Sequence, residues 1–315
     1  MKKIGLILST VILAGGAFAQ ELKSTTDDTQ VKATTSKVDE ADAKITNRRF
    51  RASNGSLSDF SMNMSLSYSG GSLEKPFAAD RPNISNAGDT TSIAGISGTV
   101  NGTYRLNTLN RINIGTGIQM LAPFNDDIDT DDPRAQKEFD DNRGELDVTN
   151  PYISYTHMNN FFGVQTIANA GITTYTASNL TDIGYEHSHD FSLNTMYAFK
   201  DTGFSIGALM LYTQYYFDND DASFQASQTD VVYGFLPQAE YVINDTFNIR
   251  TIVRTNWYQN TKADSDFSQR PLTQSVGLGI SVTRDVFLYP NIQFIPNDLQ
   301  AGNTNIGFTA NINMF

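Results

Sequence analysis

The chain has 315 residues, 39% of them apolar, and a formal charge of −12. With 22 Lys plus Arg against 34 Asp plus Glu, the balance argues against nucleic acid as a partner. No cysteine is present, which excludes disulfides and thiolate metal sites, while 14 tyrosines and 20 phenylalanines lean toward β structure.

Residues 1–19 read as a secretory leader. Lys2 and Lys3 form the positive start, residues 4–14 the apolar run, and Ala17-Phe18-Ala19 an A-x-A cleavage site. Removing the two lysines with the leader takes the charge from −12 to −14. No other run approaches the roughly 18–20 apolar residues that a spanning helix needs. Residues 20–58 are polar and rich in Thr, Ser, Asp and Lys. They are expected to form a flexible tail, with a short helix around 38–45, and to be too short for a globular plug.

From residue 59 onward the chain alternates apolar and small polar residues with period two, the repeat of a β-strand. Phe60, Met62, Met64, Leu66 and Tyr68 share one face, and Ser61, Asn63, Ser65 and Ser67 the other. The stretch 272–283 shows the pattern most cleanly, with Val276, Leu278, Ile280 and Val282 opposite Ser275, Gly277, Gly279 and Ser281. About twelve such segments are expected. The fourth, near 148–157, is less regular because Pro151 lies inside it.

The connections alternate long and short. Long ones fall at 69–90, 123–147, 177–188, 218–229, 259–271 and 297–303. Short ones fall at 107–109, 158–161, 200–202, 244–246 and 284–285. One apolar and one finely polar face, short turns on one side and an even strand number describe an all-β, transmembrane up-and-down antiparallel β-barrel over 59–315. Lipid also demands closure, because an open sheet edge would leave backbone groups unpaired in hydrocarbon. The leader, the alternating strands and the terminal Phe315 resemble the Gram-negative outer-membrane β-barrel (porin-like) class. That resemblance implies an outer-membrane location, contact with lipid and lipopolysaccharide, and recognition of Phe315 by the barrel-insertion machinery. Asn311 and Asn313 share the parity of Phe315, a departure from the class.

Inward positions are mostly Ser, Thr, Asn, Gln and Gly, leaving room for water, with few charges. If 244–246 is a three-residue loop, Glu240 faces Arg250 and the two pair. The same counting across 107–109 puts Arg105 opposite Arg111, a like-charge contact that needs an acid or an anion between the two. With Arg254, these arginines suggest a pore lining biased toward anions; the competing account is that they pair with inward carboxylates or reach the periplasmic rim. The connection 123–148 carries ten acids against Arg134, Lys137 and Arg143, net −7. Asp127, Asp129, Asp131 and Glu138 match calcium-loop positions one, three, five and twelve. Asp132 replaces the turn glycine, Pro133 follows and no helix is expected beside it. That leaves either a looser divalent-cation site shared with lipopolysaccharide phosphates or a solvated acidic loop; no other cofactor is implied.

His187-Ser188-His189-Asp190 lacks the His-x-Ser order that would put both side chains on one strand face, so it reads as an interface histidine pair and the chain as a non-enzyme. Tyr68, Tyr104, Tyr212, Tyr241 and Trp257 fit aromatic girdles. The leading expectation is a porin-like channel for passive diffusion of small polar solutes. The alternative is a non-conducting surface barrel whose acidic loops bind ions, lipopolysaccharide or another cell.

Overall fold

A computed structural model of the chain describes residues 40–53, 56–86, 91–125, 127–130, 133–218, 228–260 and 266–314. The leader, most of the expected tail and Phe315 lie outside the described residues. Twelve long strands build the wall: β1 (Phe60–Ser72), β2 (Gly95–Arg105), β3 (Asn110–Leu121), β4 (Asp147–Phe161), β5 (Val164–Thr174) and β6 (Tyr185–Ala198), followed by β7 (Phe204–Phe217), β8 (Thr229–Val242), β9 (Phe247–Asn260), β10 (Thr273–Ser281), β11 (Val286–Phe294) and β12 (Asn305–Met314). Each pairs antiparallel with its sequence neighbours, and β12 returns to β1 with Met62 opposite Met314 and Tyr68 opposite Phe308. The barrel is therefore closed, and no wall strand keeps a bare edge.

The period-two pattern sorts the faces as the sequence requires. Ile114, Ile153 and Ile172 lie side by side on β3, β4 and β5 and are 65%, 51% and 46% exposed. Such an exposed apolar row belongs against lipid. Their neighbours Asn113, Ser154 and Gly171 point inward. Pro151 is tolerated within β4 because the ladder slips there, between Gly115 and Gly117, and Asn150 adopts φ +54°. The turn expected at 158–161 falls instead at Phe162 and Gly163. Both have positive φ, +51° and +88°, as a two-residue hairpin turn of matching twist demands. Met158 is thereby kept in the strand, facing inward.

Gly98 in β2 is set by close approach. A Cβ there would lie 1.9 Å from the Ser65 carbonyl oxygen of β1. Gly98→Ala is expected to destabilise the barrel by about 1–3 kcal/mol through overpacking, read as a lower urea midpoint in lipid vesicles. An unchanged midpoint would show that the β1–β2 spacing is not fixed by this contact.

Among the described residues four α-helices accompany the barrel: α1 (Glu40–Lys44), α2 (Arg48–Ser53), α3 (Pro133–Asn142) and α4 (Ser178–Thr181). The long β3–β4 connection, expected to be without helices, contains α3. Pro133 starts it, where a missing N–H is harmless. Ala135 and Phe139, one turn apart, are both buried, and Phe139 packs against Ala79 and Ala122 at the long-connection end. On the exposed side Lys137 bonds Asp141 one turn on, and that bond holds its ammonium above its ordinary pKa.

Candidate functional site: the lumen and its short-turn mouth

Across the middle of the barrel the inward side chains join into a belt. Asn63 donates to Thr103 at 2.7 Å, Thr103 to Asn113 at 2.7 Å, and Asn113 to Thr156 at 3.0 Å. Thr156 donates to Asn169 at 2.6 Å, and Asn169 to Ser192 at 3.2 Å. Each amide of the belt serves a neighbouring strand in register, while the buried Oδ1 of Asn63 has no partner in the wall among the described residues. The belt borders a cavity of about 260 Å³ that includes Asn63, Asn101, Asn113, Ser154, Asn169 and Ser53.

Residues 40–53, expected to belong to a flexible tail, are instead seated in the short-turn mouth. Helices this short are not stable alone, and the wall supplies their end groups. Gln165 Oε1 of β5 accepts both the Thr46 and Asn47 backbone N–H groups at 2.8 Å. Asn160 of β4 donates to the Lys44 carbonyl at 3.0 Å, and Asn313 of β12 to the Ala52 carbonyl at 2.8 Å. The inward parity of Asn313 thus has a structural use. Within the segment, Asn47 Oδ1 accepts the Phe50 N–H and caps α2. Arg51 ties the helices together by donating to the carbonyls of Ile45 and Asp42, both at 2.6 Å.

Two further contacts hold the segment. Phe50 is fully buried among Ile45, Met158, Ile167 and Met196, worth about 1.5–3 kcal/mol for such a side chain. Ala52 rests on Phe287 and Tyr289 of β11. Glu240 of β8, only 2% exposed, receives Asn47 Nδ2 at 2.8 Å and Arg49 Nε at 3.2 Å, and Arg250 of β9 lies 3.5 Å away. Gln238 Oε1 accepts from Arg49 and from Arg250, each at 3.1 Å, and Arg250 stands 5.0 Å over the Tyr289 ring. At the rim, Asp42 takes a two-pronged bond from Arg284 at 2.8 and 2.9 Å. Burial pulls the Arg284 pKa down, but Asp42 and Asp285 more than offset that and leave it raised.

Glu240 and Arg250 are thus in the register expected from the turn length, with Arg49 as a third partner. Arg105 does sit opposite Arg111. Arg111 is 2% exposed and points inward, while Arg105 donates to the Leu57 carbonyl at 2.5 Å. Arg254 is also on the inner parity, opposite Thr273. Of the acidic positions, Asp129 meets Lys75 at 3.3 Å, Glu138 is exposed on α3, Asp127 is exposed and Asp131 lies outside the described residues. Among the described residues no group of three or more His, Asp or Glu is placed to hold a metal ion.

His187 and His189 face outward with Tyr216, whose ring stacks on His187 at 4.5 Å. Ser188 faces inward and, with Thr173 and Thr213, donates to Asp190 at 2.9 Å. Serine and histidines therefore lie on opposite sides of the wall.

The seated segment went unseen in the sequence, yet it left a trace. Met158, Ile167 and Met196 are apolar residues on the polar parity of three adjacent strands. Such a patch inside a wet barrel needs an apolar partner, and the one Phe in the otherwise polar tail, within Arg48-Arg49-Phe50-Arg51, supplies it.

A closed antiparallel wall of twelve strands, apolar outside and finely polar inside, defines a transmembrane β-barrel of the outer-membrane type. No family model and no curated protein matches the sequence. Solved structures that are similar include the NanC porin at 10% identity, covering 81% of this chain and 98% of that one with a TM-score of 0.43. The COG4313 outer membrane channel from Pseudomonas putida F1 aligns at 12% identity over 82% and 96%, TM-score 0.47. The KdgM porin in complex with disordered oligogalacturonate aligns at 6% over 80% and 98%, TM-score 0.40. These likenesses are distant, and the barrel assignment rests on this chain's own strand pairing.

Proposed function

We propose that the protein is a narrow channel for passive diffusion of small polar solutes, biased toward anions. The observation that carries this reading is the lumen: a hydrated-size cavity bordered by Asn, Ser and Thr. Four inward arginines (Arg105, Arg111, Arg250 and Arg254) stand against two inward wall carboxylates, Glu240 and Asp190. Positive inner walls favour anions at close quarters. In outer-membrane barrels short turns face the periplasm, so the seated segment belongs to that side. In this reading the acidic connection with α3 meets lipopolysaccharide, and Phe315 is what the insertion machinery reads.

The test is single-channel recording of the refolded chain in a planar bilayer. Discrete ohmic openings are expected, with a reversal potential under a salt gradient that has the sign of chloride preference, weakened by Arg254→Gln. Clear cation preference would refute the anion bias. A second reading, a non-conducting surface barrel, is favoured by one observation, the helical segment lying across the mouth. A folded barrel silent under every condition would establish it.

A further inference from the structure

We infer that residues 40–53 are a detachable stopper, an internal peptide ligand of the barrel whose release opens the periplasmic mouth. This rests on the channel reading and adds to it a closed state and its latch.

The contacts single out the segment from the rest of the chain. It touches β4 through Asn160 and Met158, β5 through Gln165 and Ile167, β6 through Met196, β8 through Gln238 and Glu240, β11 through Phe287 and Tyr289, and β12 through Asn313. Those strands surround much of the circumference, so the segment crosses the opening instead of lying along one wall. The wall reads it as a peptide-binding site would. A side-chain amide takes two consecutive backbone N–H groups, a carboxylate takes an amide and a guanidinium, and an apolar pocket takes one ring.

Detachment follows from what each side keeps. Without the segment, Glu240 retains Arg250 in cross-strand register, and Gln238 retains bonds to Arg250 and to Asn194. No buried carboxylate is left without a cation, so the main penalty of removing a charged partner is avoided. On the segment side the groups released are chiefly arginines and backbone, which water solvates well, and two helices too short to persist regain conformational freedom. Strand pairing from β1 to β12 closes the wall without using any residue of the segment. Phe50 is the main apolar anchor and Glu240 with Arg49 the main polar one, so a ligand that competes for either loosens the whole.

The experiment is single-channel recording of the full chain beside an Arg49→Glu/Phe50→Asp variant, with folding of both verified by heat-modifiable migration. The first change faces Glu240 with a like charge, and the second puts a carboxylate into the apolar pocket. Both lie outside the barrel strands. The unaltered protein is expected to be closed most of the time with rare openings, and the variant to be open at least tenfold more of the time at similar unit conductance. A synthetic peptide of residues 40–53, added on the short-turn side, should block the variant reversibly. Equal open probability in the two proteins would overturn the stopper while leaving the channel intact. Silence of the variant would overturn channel and stopper together.

Discussion

Glu240→Ala is expected to cost about 3–5 kcal/mol of barrel stability, because it leaves Arg49 and Arg250 facing each other inside the wall with no carboxylate between them. Glu240 is 2% exposed and lies within 3.2 Å of one guanidinium and 3.5 Å of the other. Removing one member of a buried charged group leaves the others desolvated and unpaired, which is worse than never having had the group. Urea unfolding in lipid vesicles is the measurement. The companion double variant Glu240→Ala/Arg49→Ala removes one of the two stranded cations and should recover part of the loss, with a coupling of about 0.5–3 kcal/mol. A single variant within about 0.5 kcal/mol of the parent would mean that water already screens the cluster, since screened ion pairs contribute that little.

Ile153→Arg should be nearly as damaging for a different reason. Ile153 lies mid-strand in β4 between Ile114 and Ile172 on the exposed apolar row. A guanidinium at that depth meets hydrocarbon, with a destabilisation of about 2–4 kcal/mol at the midplane of such barrels. Ser154→Arg, one residue on, points into the lumen beside Asn113 and should leave folding nearly intact while lowering unit conductance. The pair reports sidedness directly. If the two substitutions destabilise equally, the assignment of lipid and lumen faces is wrong for β4.

The wall was readable from the sequence because its rules are local. Period two in Phe60–Tyr68 or in Val276–Val282 needs nothing but alternation between two environments. The three-residue turn at 244–246 then fixed Glu240 opposite Arg250, and the one at 107–109 fixed Arg105 opposite Arg111. Two local features misled. The turn expected at 158–161 lies at Phe162 and Gly163, the residues that adopt positive φ, so Met158 stays in β4. The acidic run 123–147 hid α3, whose Ala135 and Phe139 give too short an apolar stripe to stand out among charges.

Of the calcium-like positions, Glu138 is carried by α3 while Asp129 turns to Lys75, and Asp131 lies outside the described residues.

The sequence by itself determined the twelve strands, their facing and their pairing, because each depends on neighbours a few residues apart and on a two-solvent environment that imposes closure. Only the tertiary structure decided what occupies the mouth. Gln165, Glu240 and Asn313 lie 118, 193 and 261 residues from their partners in the segment 47–52. The short helix expected around 38–45 is present as α1 (Glu40–Lys44), but helices of five and six residues have too little intrinsic stability to persist without a seat. They exist because a completed barrel offers the acceptor, the carboxylate and the apolar pocket at the right places.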